Sequence, residues 1–339
     1  MKRLVKLAMI AMVFMMIATS CQQESNEGIN AIEDDEMVVQ ELATGEDEEI
    51  LFDAAIDDGS EENIVNGFGS SGGSLGKVSA PIDTVLNFGR RFDPHPRRIV
   101  KDIRRIGQDT IFVSLSRLFR GVFVIVEKGQ DTTGTRPIII HRKRMAHVVK
   151  RNAIYVKRDS DRDTDAITDR PHRRWKLASV SMGAGHSVPE PSIHFNELTI
   201  TSTGGVNITI TEPLDTFFDT RDDLPTFVSG EEVTVQVKLT NSTLNPVDPF
   251  GTGATETLLL HHGANRDHHG RKFFNYVGTD PVTGDQIYEG TWTVEQAPGH
   301  VYHAVVDAID NGTIYDNNAS TFPYNSTTWG TPYRVVESK

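Results

Sequence analysis

The most regular pattern in the chain is an alternation of apolar and polar residues with a period of two. Val233, Val235, Val237 and Leu239 alternate with threonine, glutamine and lysine. This period sends successive side chains to opposite faces, as in a half-buried β-strand. Further strands are predicted by runs rich in β-branched and aromatic residues, at 111–115, 121–126, 136–140, 153–156, 175–180, 193–201, 206–211, 257–260, 288–294, 301–308 and 334–336.

These strands predict an all-β fold class in two successive parts, since no long helical periodicity interrupts them. Residues 77–186 are expected to form a curved antiparallel sheet of five or more strands. After the proline pair at 189 and 191, residues 190–339 hold seven or eight short strands separated by turns. That spacing is typical of an immunoglobulin-like β-sandwich. The chain has one cysteine, which excludes the disulfide of antibody domains.

Charge divides the chain more sharply than any motif. Residues 22–76 contain 16 acidic and no basic residues, residues 77–185 contain 24 basic and 11 acidic ones, and residues 186–339 contain 7 basic and 20 acidic ones. Like charges repel, and few apolar residues accompany them in the first segment. Residues 21–76 are therefore predicted to be an acidic, flexible tether, with a short helix near 37–42 or 48–56 left open.

The basic segment admits three explanations. Its arginine and lysine side chains bind an acidic envelope component, or they hold the chain's own acidic tether, or they are solvated positions that keep sheet edges from aggregating. Aromatic residues are sparse among these basic residues. A stacking platform for bases needs them, so no nucleic acid partner is predicted.

The N-terminus has the features of an export signal. Lys2, Arg3 and Lys6 precede an apolar run at 7–18, which at ~12 residues is too short to span a bilayer. The following Ala18-Thr19-Ser20-Cys21 resembles the lipobox of bacterial lipoproteins. The resemblance implies removal of a signal peptide at 1–20, acylation of Cys21 by palmitate-like chains, and a lipid-anchored location at the outer membrane or cell surface. Ordinary secretion is the alternative.

Two groups of residues have the chemistry of metal ligands. Four histidines surround Asp267, and His261 and His268 are the members that a strand could direct to one side. Asp307, Asp310 and Asp316 carry oxygen ligands that suit calcium, although the spacing is not that of an EF-hand. The alternative for the histidine group is a set of surface histidines without a metal, and the alternative for the aspartate group is an ordinary turn. The prediction is no cofactor, with calcium as the alternative.

A third group suits sugar recognition, in which flat rings stack on sugars and amides bond their hydroxyls. The order of strands from 258 to 318, ending in Asp316-Asn317-Asn318, resembles starch-binding carbohydrate modules of the sandwich type. The resemblance implies a glycan site whose members are Trp292, Trp329, Tyr315, Asn317 and Asn318. The alternative is that the rings are core residues of the sandwich.

No motif for catalysis is present. The only cysteine is assigned to the anchor, and the nucleophile-elbow, zinc-protease and phosphate-loop patterns are missing. The sequence therefore predicts a non-enzymatic surface lipoprotein that binds or presents a ligand through its sandwich. Glycan capture and a structural scaffold role in the envelope, with the membrane, a polysaccharide or an acidic envelope component as partner, are the alternatives.

Overall fold

A computed structural model describes residues 35–43, 81–82, 84–93, 98–129, 138–157, 175–265 and 268–338. The export signal, Cys21 and most of the predicted tether lie outside these residues. Among the residues it describes, no helix has the length and apolar content needed to cross a membrane.

The described chain consists of seventeen strands and two short helices. Helix α1 covers residues 35–42. The other elements, in chain order, are β1 (Val85–Phe92), β2 (Arg98–Gly107), β3 (Thr110–Lys128), β4 (Ile138–Lys157), β5 (Trp175–Ser181), β6 (Gly183–Ser187), β7 (Ile193–Ser202), β8 (Asn207–Ile210), β9 (Phe217–Asp219), β10 (Thr226–Val228), β11 (Glu232–Asn241), β12 (Glu256–Asn265), β13 (His268–Phe273), β14 (Asn275–Thr279), β15 (Gln286–Thr293), β16 (Val301–Asp310), α2 (Asn311–Tyr315) and β17 (Ser326–Val336).

The strands form two sheets, which confirms the predicted all-β fold. The larger sheet has twelve strands, with the central order β1-β3-β4-β6-β17-β16-β12-β13. The smaller has five, in the order β14-β15-β11-β7-β8. Nearly all neighbours are antiparallel, and the exception is the parallel pair β10 and β17. The predicted alternation in β11 is observed, because Val233, Val235, Val237 and Leu239 are all buried.

The main core lies between the smaller sheet and the C-terminal half of the larger one. Alternate residues of β16, such as Ala304, Val306 and Ala308, contact the smaller sheet there. The opposite face of β16 turns to a second core. In that core, Ile309 packs with Phe88 of β1, Phe123 of β3 and other residues. The larger sheet therefore curls until its N-terminal strands cover its own C-terminal strands.

The predicted boundary at residues 186–190 falls between β6 and β7, yet the larger sheet is continuous across the two predicted parts. Strand β6 pairs with β4 through His147–Lys150 and with β17 through Thr327–Gly330. Strands from 77–186 and from 190–339 consequently share one sheet and one core. The division into two domains, at 77–186 and 190–339, remains a prediction that rests on the opposite net charges of the two segments.

Residues 35–43 of the predicted tether fold back on the basic sheet. Val38, Val39 and Ala43 join a third core with residues of β3, β4 and β5. Burying these apolar side chains offsets the cost of ordering the acidic segment. The short helix left open at 37–42 is observed, and the one at 48–56 lies outside the described residues.

Candidate functional site

The interior of the curled sheet contains a buried polar cluster centred on Arg90 and Asp307. Both guanidinium amino groups of Arg90 donate to the Asp307 carboxylate, one of them over 2.8 Å. Arg90 also donates to the Tyr324 hydroxyl at 2.7 Å and to the Ser326 hydroxyl at 2.8 Å. Ser326 in turn donates to Asp307 at 2.8 Å. Strand β1 is thereby bonded to β16 and β17, more than 200 residues away in sequence.

His147 of β4 extends this cluster. Its Nδ1 lies 3.0 Å from the Tyr324 hydroxyl and its Nε2 lies 3.3 Å from the Thr328 hydroxyl. Burial, reinforced by the positive charge of Arg90, holds the pKa of His147 well below its ordinary value. The imidazole is therefore neutral at pH 7, and it orients the two hydroxyl groups instead of carrying charge.

Opposing effects act on the Asp307 carboxyl. Burial on its own would raise its pKa, but Arg90 and His261, whose Nε2 is 3.6 Å away, outweigh burial and hold the pKa below its ordinary value. Asp307 is thus ionised and paired. Arg90, His147, Asp307 and Ser326 are each at most 5% exposed, so the cluster is a structural connection with no face toward solvent.

Lys143 forms a second buried connection between β4 and the C-terminal segment. Its Nζ donates to the carbonyl oxygens of Gly312 in α2, at 2.9 Å, and of Phe322, at 2.7 Å. Burial lowers the pKa of Lys143 to about 8, against the opposing effect of Asp316 and Asp310. The two carbonyls stabilise an ammonium group that is only 1% exposed.

The candidate calcium ligands are engaged in hydrogen bonds instead. Asp310 accepts from Asn241 at 3.0 Å, from Thr243 at 2.7 Å and from the backbone N–H of Gly312 at 2.8 Å. Asp316 accepts from the backbone N–H of Asn318 at 2.6 Å. Asp310 therefore caps α2, and Asp316 closes the turn that follows it.

Of the two candidate histidines, His261 is the one whose side chain the structure describes. His261 is buried beside Asp307, and the side chain of His268 lies outside the described residues. Within the described ranges, no group of three or more histidine, cysteine, aspartate or glutamate side chains is placed to hold a metal ion.

The structure buries the rings proposed for sugar stacking. Trp292 is 1% exposed, Trp329 7% and Tyr315 3%. Trp292 packs edge-on against Phe227, and Trp329 does the same with Phe195. A buried ring offers no face to a sugar, so these aromatics belong to the core, as the alternative held.

The two candidate amides lie at the surface beyond α2. Asn317 is exposed and Asn318 is half-buried. The Asn318 side chain accepts from the backbone N–H groups of Ser320 and Thr321. It therefore shapes a turn, and no exposed ring from the proposed set lies with it.

Among the described residues, basic side chains gather on the outer face of the long β3–β4 hairpin. Along β4 the odd positions from Lys143 to Tyr155 are buried, so the even positions point outward. On this outer face, together with the adjoining strand β1, lie six exposed basic side chains: Arg91 of β1, Arg120 and Lys128 of β3, and Arg142, Arg144 and Lys150 of β4. None of the six forms an ion pair with any residue that the structure describes. Half-buried valines, including Val122 and Val124, separate them.

On the inner face of the same sheet, in contrast to the outer face, basic side chains are paired with an acidic residue. Near α1, Asp35 accepts from Arg105 and lies 2.9 Å from the Lys157 ammonium. It also accepts from the Trp175 indole at 3.0 Å. The pKa of Asp35 is lowered because these bonds outweigh the opposing effect of burial. Part of the acidic tether thus neutralises cations on the inner face, as one of the three explanations held, and the outer face remains uncovered by it within the described chain.

Sequence reasoning named the basic pairs but missed the roles of Arg90 and Lys143. The signal that could have separated them is the strand period. In Arg90-Arg91 and in Arg142-Lys143-Arg144, adjacent side chains point to opposite faces, so one member is buried and its neighbours are exposed.

Comparisons with known proteins add no family. No protein-family model matches the chain, and no curated protein matches it. Among solved structures, a chain of extended synaptotagmin 2 that comprises its SMP domain and two C2 domains aligns over 73% of this chain and 90% of its own length. The identity is 9% and the TM-score 0.14, so this likeness does not indicate a shared fold and carries no argument.

Proposed function

We propose that the protein is a non-enzymatic envelope lipoprotein that binds an anionic envelope component through the outer face of the β3–β4 hairpin. One observation carries the proposal: six exposed cations on one face have no anionic partner among the described residues. A surface of a single charge attracts and concentrates a partner of opposite charge. The lipobox-like Ala18-Thr19-Ser20-Cys21 supports the location at the envelope.

The buried polar cluster supports the non-enzymatic part of the proposal. His147, Asp307 and Ser326 are residue types used in acyl transfer, but here Ser326 donates to Asp307 and His147 bonds to Tyr324 and Thr328, all inside the curled sheet. A substrate would need access to a nucleophile and its base. Their burial, and the absence of a catalytic motif, make binding the better interpretation.

The test of binding uses a dextran sulfate resin and a salt gradient. The Arg142→Ala/Arg144→Ala variant should elute at clearly lower salt than the parent, because each exposed cation contributes an attraction that salt screens. The Arg221→Ala/Lys272→Ala variant removes two exposed cations elsewhere and is the matched control. Equal elution of all three proteins would remove the proposal.

The test of the anchor is separate. Cells fed a labelled fatty acid should transfer the label to the parent but not to a Cys21→Ser variant, because a thiol is required as acyl acceptor. The variant should also retain its leader. Labelling of the variant, or an unlabelled parent, would contradict the lipoprotein assignment and leave the binding face unaffected.

A further inference from the structure

We propose that the anionic partner is a lipid bilayer, and that the distal half of the β3–β4 hairpin lies on it with Ile138 and Ile140 in the interfacial region. This inference rests on the proposed function and names its partner. It joins two features of one hairpin, a basic outer face and an apolar tip, which a bilayer with anionic head groups satisfies together.

The apolar tip is formed by Ile138 and Ile140 at the start of β4, which share the outer face, while Ile139 between them points to the other side of the sheet. Ile138 is 66% exposed, Ile139 42% and Ile140 48%. The other large exposed apolar side chains of the described chain, such as Val277 and Val282, occur singly. Single exposed apolar residues need no explanation, whereas a contiguous run marks an interaction site.

The strand register places this tip directly beside the basic residues. Ile138 is paired with Lys128 and Ile140 with Val126, and the next outward pairs are Arg142 with Val124 and Arg144 with Val122. Arg142 and Arg144 follow Ile140 at about 7 and 13 Å along the strand, at ~3.3 Å per residue. If the hairpin lies at an angle to the bilayer surface, the isoleucines reach the upper acyl carbons. The guanidinium groups of Arg142 and Arg144 then lie at the depth of the lipid phosphates.

The far end of the outer face is closed, which limits the surface to the distal half. The ring of Phe112 packs against Phe217 at 6.5 Å, and the Asn152 side chain donates to the carbonyl of Leu214 at 3.0 Å. Between Lys150 and the tip, the outward side chains of Arg144, Arg142, Ile140 and Ile138 are all exposed. The open part of the face is the part that carries the isoleucines and arginines.

An acidic polysaccharide would pair with the exposed cations but would not remove the apolar tip from water. A hydrated polymer offers anions and leaves Ile138 and Ile140 in water, whereas a bilayer removes them from water. Arginine is suited to phosphate because its planar fork donates two parallel hydrogen bonds. The combination of apolar tip and arginine therefore favours phospholipid over sugar polymer.

The test uses vesicle flotation with the chain from residue 22 to 339, which keeps every described residue and lacks the acyl anchor. It should float with vesicles of phosphatidylcholine and phosphatidylglycerol and not with phosphatidylcholine alone. The Ile138→Ser/Ile140→Ser variant should bind the anionic vesicles more than tenfold more weakly. The matched control is Val277→Ser/Val282→Ser, which removes two exposed valines outside the hairpin and should bind as the parent does.

A fluorescent label at the tip gives a second readout. The chain from residue 22 has no cysteine, so Ile140→Cys on the outer face carries one environment-sensitive dye. Its emission should shift to the blue on anionic vesicles, and a dye at Val277→Cys should not shift. Binding of the serine variant at parental strength, or an unshifted tip dye on bound vesicles, would overturn the inference.

The outcomes also separate this inference from the proposed function. Salt-dependent retention on dextran sulfate without vesicle binding would leave an acidic polymer as the partner and remove the bilayer. Loss of both would remove the binding face altogether. Vesicle binding that depends on Arg142 and Arg144 but not on the isoleucines would support the basic face and refute interfacial seating.

Discussion

Arg90 and Arg91 are adjacent in sequence and have opposite environments. Arg90 is buried against Asp307, while Arg91 is exposed on the outer face of the hairpin. The period of β1 accounts for the difference, since successive side chains point to opposite sides of the sheet. Arg91 is therefore a matched control for measuring how much the buried ion pair between Arg90 and Asp307 stabilises the fold.

We predict that Arg90→Met destabilises the fold by about 3–5 kcal/mol, because the Asp307 carboxylate would stay buried without its cation. Arg91→Met should change the free energy of unfolding by less than about 0.5 kcal/mol, since it alters only the surface. Urea denaturation followed by circular dichroism measures both. Equal midpoints for the two variants would show that the buried pair is not a stabilising connection.

The neutral state of His147 leads to a pH prediction. The pKa of His147 is lowered in the folded protein, where Tyr324, Thr328, Arg90 and Asp307 surround the ring, and it has its ordinary value of about 6.5 when unfolded. Below that pH the unfolded state binds a proton that the folded state does not. The stabilisation is thus present above pH 6.5 and is lost as pH falls toward the folded pKa.

His147→Gln, which retains hydrogen-bonding groups, lacks this titration. The difference in unfolding free energy between parent and variant should shrink by about 2 kcal/mol from pH 7.5 to pH 5. Urea titrations at a series of pH values measure it. A constant difference would mean that His147 carries the same charge in both states.

At the scale of elements, α1 shows how an acidic segment acquires structure. Its buried residues Val38 and Val39 face the inner side of β3 and β5, while Met37 is 59% exposed. Asp35 adds ion pairs to Arg105 and Lys157 at one end. Apolar contact and charge pairing act together, because neither is large enough alone in so short a helix.

Val39→Asn should detach α1 from the sheet, since an amide would replace a side chain with no exposed surface. Met37→Asn is the matched control and should leave α1 in place. Hydrogen exchange of the Ala43 amide, which donates to the Val39 carbonyl at 2.9 Å, reports the difference. Unchanged protection in Val39→Asn would contradict the packing of α1.

The elements also show what the sequence could and could not predict. Alternation predicted β11 because its buried residues are all β-branched or leucine. The same reasoning passed over β6, whose Gly183-Ala184-Gly185-His186-Ser187 has no strand-forming residue. Gly185 is required by contact, since a Cβ there would approach Thr328 Oγ1 to 2.4 Å and His147 Nε2 to 2.7 Å. That constraint arises from strands distant in sequence and leaves no local pattern.

The candidate residues Trp292, Trp329 and Asp310 show a related limit. Residue type suggested them for binding, but type does not state the direction of a side chain. Each is directed into the protein and is engaged by neighbours from other elements. The sequence predicted that this segment is basic, but it did not predict which basic side chains form the outer face. A run of arginines does not reveal which of its members the sheet buries.

At the scale of the whole molecule, one sheet joins segments of opposite charge. Strand β6 lies between β4 and β17, and Arg90 and Lys143 of the basic segment bond to partners beyond residue 300. The sharp division of charge along the sequence is therefore not a division of the core. Attraction between the two parts adds to the burial of apolar surface.

We predict that residues 190–339 alone do not unfold cooperatively, because Asp307 would lose Arg90 and the carbonyls of Gly312 and Phe322 would lose Lys143. The full chain from residue 22 is the control. Differential scanning calorimetry should show one transition for the full chain and none, or one at much lower temperature, for the fragment. A fragment as stable as the full chain would establish 190–339 as an independent domain.

Helix α1 also limits the distance between the folded part of the protein and its lipid anchor. If Cys21 carries the acyl chains, the segment that connects the anchor to the folded part ends at Asp35 and not near residue 76. A fully extended chain of about 14 residues reaches no more than roughly 50 Å, against nearly 200 Å for about 55 residues. Detaching α1, by mutation or by competition for Arg105 and Lys157, would lengthen that reach several-fold.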